Sequence, residues 1–266
     1  MRDTLGFALE GHEMIHAVTS ANRQLYTKQL KAMHKMRYDF YVLQRGWTDG
    51  LTIQDEGEYD EFDRADTVYL MNLDHDGEIK STFRLMPTID YYLLEKLPQF
   101  VNGPVPKGNH IWDMTRWIIA PSFRKSSGQK RFKTQGELTC GLFEFAATRG
   151  ITHYTTLMDT AFLPAVEQAG WKYELLGLPV PYGDRGESAI AVIIDVGPKA
   201  LAHNRMFYGI DYSVLFESPP PRLGECLEDI LARLNVIETI ERIPDRETRV
   251  SAWGAVTKQV SVAQLL

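Results

Sequence analysis

The chain has 266 residues, 44% of them apolar and 24% charged, with a formal net charge of −6. That is room for one large domain, or one domain with an extension, whose core needs no disulfide or metal staple. The acidic balance argues against a nucleic-acid partner, and no apolar run approaches the roughly 20 residues that span a bilayer.

The first residues carry no apolar segment of secretory type. The two cysteines, Cys140 and Cys226, lack metal spacing and cannot make a disulfide framework. We expect a cytoplasmic, reduced setting with no membrane partner. Residues 1–20 read as a loosely ordered lead-in. Within them His12-Glu13-Met14-Ile15-His16 matches H-E-x-x-H, which on a helix sets two imidazoles on one face for zinc. Gly11 weakens such a helix, no preceding sheet holds it, and only His34 or Glu58 offers a third ligand. The expectation is therefore no metal, with a zinc peptidase as the reading this pattern leaves open.

A helix begins near Asn22, where Tyr26, Leu30, Met33 and Phe40 fall at helical spacings on one stripe. Residues 54–66 are strongly acidic, either a solvated face or a cation-seeking site. Residues 67–73 alternate as a strand, 75–77 form a turn and 78–85 return, which predicts a hairpin. Residues 111–120 read as a strand that stops at Pro121. Residues 124–133 are strongly basic. A helix is predicted over 129–149, with Leu138, Leu142 and Phe145 on its stripe and Gly150 as its stop. A strand at 153–158, a helix at 160–169 ended by Gly170, and a near-continuous apolar strand at 188–196 follow. That last pattern is typical of a buried sheet position. Prolines at 219–221 mark a linker, and Leu227, Ile230, Leu231 and Leu234 a short amphipathic helix. Strands alternating with helices predict an α/β or α+β sandwich with a mixed sheet. We divide it into the lead-in 1–20, a catalytic domain 21–200 and a partly helical extension 201–266.

One constellation is distributed along the chain. It runs Arg37-x3-Tyr41-x5-Trp47, then Glu58-Tyr59-Asp60-Glu61-Phe62-Asp63, then Arg84-Leu85-Met86-Pro87-Thr88, then Phe100, then Ile111-Trp112-Asp113-Met114-Thr115-Arg116. In order and spacing it resembles the LuxI-type acyl-homoserine-lactone synthases, the autoinducer synthases of bacterial quorum sensing. Their pattern is R-x3-F-x5-W, E-x-D-x-x-D, R-L-x-P-T, a downstream Phe and W-E-x-S-R. The resemblance covers roughly residues 30–180. The chain departs from it at Tyr41 (Phe in the family), Asp113 (Glu), Thr115 (Ser) and Trp117 (usually Phe), which marks a divergent branch and leaves the acyl substrate open.

The resemblance implies a GNAT-like three-layer αβα sandwich with a mixed, twisted central sheet. It implies an acyltransferase in which the amine of S-adenosylmethionine attacks an acyl thioester. The methionine carboxylate then displaces methylthioadenosine and closes the lactone. S-adenosylmethionine is a substrate, no cofactor is called for, and the acyl donor is an acyl carrier protein or an acyl-CoA. Asp60 and Asp63 suit its cationic centres, and their i,i+3 spacing puts both on one side of a helical turn. Trp47, Tyr41 and Phe100 suit its sulfonium as a wall of aromatic faces. Arg37 or Arg116 suits its carboxylate as a bidentate partner. Arg84 belongs to the same site or makes a structural ion pair with Asp60 or Asp63. Deprotonation of the amine needs a general base acting through water, and Glu58, Asp60 and Asp113 are its candidates. In an ideal strand Asp113 and Arg116 point to opposite faces. If both serve one site, the strand must carry a bulge between them.

Trp112 reads as core. Thr156, 15 residues before Trp171, matches the family position that meets the substituent at carbon 3 of the acyl chain. With Trp117 it is expected to line that chain, which should run between the sheet and the helices at 129–149 and 160–169. Arg124, Lys125, Lys130, Arg131 and Lys133 offer cationic docking for the donor's phosphates or for an acidic carrier, near a helix N-terminus. The alternative is a GNAT-type N-acetyltransferase using acetyl-CoA, whose phosphate loop Arg124-Lys-Ser-Ser-Gly128 would match poorly.

Overall fold

A computed structural model describes residues 14–74, 76–124, 128–182, 186–218 and 243–259, together with 224, 226, 227, 229, 230 and 240. The chain opens with β1 (Met14–Val18). A 3-10 turn at Arg23–Tyr26 leads into α1 (Thr27–Arg37), which continues as a π-helical stretch, Tyr38–Gln44. A small hairpin follows, β2 (Thr52–Gln54) and β3 (Gly57–Tyr59), and then the long hairpin β4 (Val68–Leu73) and β5 (Ile79–Pro87). Next come α2 (Leu93–Lys96), a 3-10 turn at Pro98–Phe100, β6 (Ile111–Ile119), α3 (Pro121–Arg124) and α4 (Gly128–Arg149). Then follow β7 (His153–Asp159), a 3-10 turn at Thr160–Phe162, α5 (Leu163–Gln168), β8 (Tyr173–Leu175), β9 (Val180–Tyr182) and β10 (Glu187–Asp195). Among the described residues the last elements are α6 (Pro198–Tyr208), β11 (Leu215–Phe216) and α7 (Arg246–Gln259).

One mixed sheet holds the strands in the order β11-β1-β4-β5-β6-β7-β10-β8, with β9 also pairing β10. Strand alternation sorts its two faces. Tyr69 and Met71 turn toward Tyr26 and Met33 on the α1 side. Leu70, Phe83 and Leu85 turn toward Leu138, Leu142, Phe143 and Phe145 of α4. Helix, sheet and helix make the three layers of an α/β sandwich with a mixed central sheet. The expected stripe Leu138, Leu142 and Phe145 is fully buried. Gly141 lets α4 approach the sheet closely, because a Cβ there would stand 2.6 Å from Ile15 Cγ1. Gly150, with φ of +65°, ends the helix in the left-handed conformation that glycine adopts without strain.

Two boundaries expected from the sequence shift. Met14–Val18, placed in the loosely ordered lead-in, is an interior strand of the sheet. It runs antiparallel to β4 and parallel to β11, with Ile15 opposite both Asn72 and Leu215. Residues 1–13 lie outside the described residues. The boundary at 200 falls inside α6, and β11 from the expected extension joins the sheet edge. Leu227 and Ile230 are buried, and Ile230 packs in the α1-side cluster; Leu231 and Leu234 lie outside the described residues.

Two irregularities of β6 place the site. Its register against β5 shifts between Thr82 and Arg84, where Thr82 faces Ile118 but Arg84 faces Thr115. Arg116 sits in this bulge with φ of +55°, a left-handed conformation costly for a residue with a Cβ. On its other side β6 pairs with β7 through Ile111, Trp112 and Asp113 against His153, Tyr154 and Thr155. Beyond those three pairs the two strands diverge, leaving a wedge between them.

Candidate active site

The site is built at the bulge. An unbroken strand would aim Arg116 at the α4 face. The bulge turns it back to the side of Arg84 and Thr115, which pair across β5 and β6 and are joined by a hydrogen bond from Arg84 Nε to Thr115 Oγ1 of 3.0 Å. The bulge expected from the positions of Asp113 and Arg116 is therefore present.

Three carboxylates come to meet these arginines from β3 and the turn after it. The turn is locked locally: Asp63 Oδ2 accepts from the Asp60 amide at 2.9 Å, and Asp60 Oδ1 accepts from the Phe62 amide at 2.9 Å. Arg37, projecting from the end of α1, donates from Nε to Glu58 and from Nη1 and Nη2 to Asp63 at 2.6 and 2.8 Å. Arg84 Nη1 donates to Asp60 Oδ1 at 2.5 Å and to Asp63 Oδ1 at 3.2 Å. Arg116 Nη2 donates to Glu58 Oε1 and Asp60 Oδ2, each at 2.7 Å. Tyr69 adds its hydroxyl to Asp63 at 2.7 Å.

Three positive and three negative charges thus form one buried, mutually neutralising network. Burial alone would raise the Glu58 carboxyl, but Arg37 and Arg116 outweigh it and hold Glu58 below the usual carboxylate value. Burial is likewise overcome at Asp60 by Arg84 and Arg116, and at Asp63, more strongly, by Arg37 and Arg84. All three are anions at neutral pH. Arg37 is fully buried and its three donor nitrogens already serve Glu58 and Asp63. These bonds tie the end of α1 to β3 and the turn after it. Arg84 Nη2 is buried and has no protein partner, so Arg84 has a donor to spare.

Asp113 is the opposite case. Its carboxyl is buried beside the first splayed residues of β6 and β7. Oδ1 accepts from Thr155 Oγ1 at 2.8 Å, whereas Oδ2 is buried without a partner. Burial dominates there and pushes the carboxyl up to about 7, with Thr155 and Arg84 only moderating the shift. A carboxyl poised there exchanges a proton readily at neutral pH.

An aromatic wall continues from the network. The Arg116 guanidinium lies 4.7 Å from the Tyr41 ring centroid, and Trp47 stacks on Tyr41 at 4.9 Å and 25°. The π-helical stretch makes this possible by widening the turn between Arg37 and Trp47, whose amide donates to Tyr41 O at 2.9 Å. Tyr182 closes the wall edge-on to Trp47 at 6.3 Å. Phe100 lies in an apolar cluster against which Tyr182 also packs. It packs with Phe62, Met86, Tyr92 and Leu94, where its segment is tied down by the hydrogen bond from the Asn102 amide to Leu176 O.

Thr156 and Trp117 face the α4 side of the wedge. Thr156 is buried opposite Val192, and Trp117 lies between Phe83 and Phe162 with its indole N–H buried and unpartnered. Trp112 meets Phe145 edge-on in the core, as expected. Of the basic run, Lys125 and the side chains of Arg124, Lys130 and Arg131 lie outside the described residues, and Lys133 stands 3.8 Å from Glu137. His12 lies outside them as well. His16 is on a strand, not a helix, with Nδ1 2.9 Å from the Tyr26 hydroxyl, and burial lowers its pKa to about 3. Among the described residues no group of three or more His, Cys, Asp or Glu is arranged to hold a metal ion. Also among them, no helix is long and apolar enough to cross a membrane.

Thr155 and Tyr182 escaped the sequence reading. Thr155 was in view as the neighbour of Thr156 on one strand. Tyr182 belongs to a short strand with no pattern of its own.

The chain is similar over most of its length to proteins of known activity. The autoinducer synthase family model matches residues 21–202. An isovaleryl-homoserine lactone synthase of Bradyrhizobium diazoefficiens is 29% identical over 226 residues, covering 84% of this chain and 95% of that protein. An acyl-homoserine-lactone synthase of Acinetobacter nosocomialis is 30% identical over 166 residues, 60% of this chain and 88% of that one. Among solved structures, the CoA-dependent acyl-homoserine lactone synthase BjaI with SAM and isopentyl-CoA superposes with a TM-score of 0.68 at 28% identity, over 84% of this chain and 99% of that one. The CoA-dependent synthase MesI gives 0.66 at 33%, over 76% and 98%.

Proposed function

The chain belongs to the autoinducer synthase family, and from that premise we propose how its site divides the labour of the reaction. It is an acyltransferase that makes an N-acyl-homoserine lactone signal from S-adenosylmethionine and an acyl thioester, releasing methylthioadenosine. The observation that carries the assignment of roles is the contrast between two kinds of carboxylate. Glu58, Asp60 and Asp63 are saturated by arginines, whereas Asp113 keeps one oxygen free and a raised pKa.

S-adenosylmethionine binds on the α1 side of the sheet. Its sulfonium lies against Tyr41 and Trp47, because an aromatic face attracts an onium ion. Asp60 and Asp63, the slightly exposed carboxylates of the network, lie nearest its cationic groups, and the spare Arg84 Nη2 takes the methionine carboxylate. The acyl thioester enters the wedge between β6 and β7, its chain on the α4 side along Thr156 and Trp117. The unpartnered Trp117 N–H supports a chain with a hydrogen-bond acceptor near it.

Asp113 is the general base, directly or through one water. It removes the ammonium proton, the amine adds to the thioester carbonyl, and the thiol leaves with the amide formed. Backbone N–H groups at the bulge stabilise the oxyanion. The methionine carboxylate then attacks its own Cγ, the carbon–sulfur bond breaks, and methylthioadenosine departs. The likeness to two CoA-dependent synthases supports coenzyme A as the donor's carrier. Free thiols at Cys140 and Cys226 support a cytoplasmic location.

The assignment of Arg84 is tested by steady-state titration of each substrate. Arg84→Lys keeps a charge but cannot bond Asp60, Thr115 and a carboxylate together. We expect KM for S-adenosylmethionine to rise at least tenfold, the loss of one charge-assisted bond, with donor KM little changed. Equal KM values for the variant and the wild type would remove Arg84 from the substrate site.

A further inference from the structure

The segment that carries Trp47 has no β-pairing of its own. It leaves the π-helical stretch at Arg45 and turns through Gly46 and Gly50, whose φ values of +71° and +69° lie in the left-handed region. What holds it is a polar constellation contributed by a distant part of the chain. Arg45 Nη1 donates to Glu187 Oε1 at 2.6 Å and stands 3.9 Å from Asp159 Oδ2. The Tyr182 hydroxyl donates to the same Asp159 Oδ2 at 3.0 Å, and the Tyr182 ring meets Trp47 edge-on. Tyr182 and Glu187 face each other across β9 and β10.

The constellation also reaches the acyl side. Asp159 Oδ1 accepts from the Ala161 amide at 2.9 Å, which caps the turn at Thr160–Phe162 and sets Phe162 5.9 Å from Trp117. Arg45 and Glu187 are partly exposed, at 22% and 27%, unlike the buried arginines of the network. Such a pair is strong enough to bias a loop and weak enough to open. Opening would release Trp47 from Tyr41 and uncover the pocket, the behaviour of a substrate lid.

We infer that Arg45 and Glu187, with Tyr182 and Asp159, form a latch that holds Trp47 over the S-adenosylmethionine pocket. Arg45 is a positioning residue that acts through Trp47. The inference rests on the functional reading above. Its test is steady-state kinetics on the full chain, varying S-adenosylmethionine and acyl-CoA in turn. Arg45→Ala and Glu187→Gln should each raise KM for S-adenosylmethionine about fivefold, the full strength of a partly exposed pair. Donor KM and the thermal midpoint should stay unchanged. The charge-exchanged double variant, Arg45→Glu with Glu187→Arg, should recover most of the wild-type KM, which ties the effect to the contact between the two side chains. Tyr182→Phe keeps the ring, loses the bond to Asp159, and should raise the same KM by a smaller factor. An active wild type whose KM is unmoved by Arg45→Ala and Glu187→Gln overturns the latch alone. A wild type that releases no methylthioadenosine overturns the functional reading and the latch with it.

Discussion

Replacing Asp113 by Asn separates the two consequences of a buried, half-satisfied carboxyl. The amide oxygen of Asn can still accept from Thr155 Oγ1, so the packing around β6 and β7 survives. In the wild type the carboxyl titrates near 3.8 in the unfolded chain and about 7 in the folded one. Between those values the folded state binds the extra proton, so raising the pH favours unfolding. The stability is fully present below 3.8 and is lost as the pH rises through 7. At about 1.4 kcal/mol per pH unit, the wild type loses about 3 kcal/mol between pH 5 and pH 7 that the Asn variant keeps. Urea unfolding of both proteins at pH 5 and pH 8 reads this difference. The same variant should lose about 10²–10⁴ in turnover, the usual contribution of a positioned base. The wild-type rate should rise with pH through about 7 as the carboxylate forms. A stability gap that does not change between pH 5 and pH 8 would refute the burial argument, and undiminished turnover in Asp113→Asn would refute its role as base.

Arg37→Met should destabilise the fold by about 3–5 kcal/mol, because it leaves three buried carboxylates with only Arg84 and Arg116 to neutralise them, and the denaturant midpoint measures it. Gly141→Ala should cost about 1–3 kcal/mol, since the new methyl collides with Ile15, and a lowered thermal midpoint with unaltered KM values is the expected signature. Lys130→Glu with Arg131→Glu should raise KM for the acyl donor and leave that for S-adenosylmethionine nearly unchanged. Added salt should mimic the reversal, because exposed charges are screened beyond about 8–10 Å at physiological ionic strength.

Local patterns were the legible part of the fold. The hairpin of β4 and β5 announced itself by alternation around a glycine turn, and α4 by a stripe of Leu and Phe ending at Gly150. β1 did not. Its five residues acquire meaning from β4, some 55 residues on, and from β11, some 200 residues on, and neither partner leaves a mark in the local sequence. The site residues were legible as a spaced set, since each must meet the others in space. Their division of labour was not, because Arg37 and Arg84 look alike until the hydrogen bonds are counted. The bulge at Arg116 was legible only as a contradiction between strand periodicity and a shared site.

The central claim is that one protein acylates S-adenosylmethionine and then cyclises it. The direct measurement is mass spectrometry of the purified chain incubated with S-adenosylmethionine and a panel of acyl-CoA thioesters. An N-acyl-homoserine lactone and methylthioadenosine should form in equal amounts, each appearing only when both substrates are present. Acyl transfer without methylthioadenosine, or no consumption of S-adenosylmethionine with any thioester of the panel, would contradict the claim.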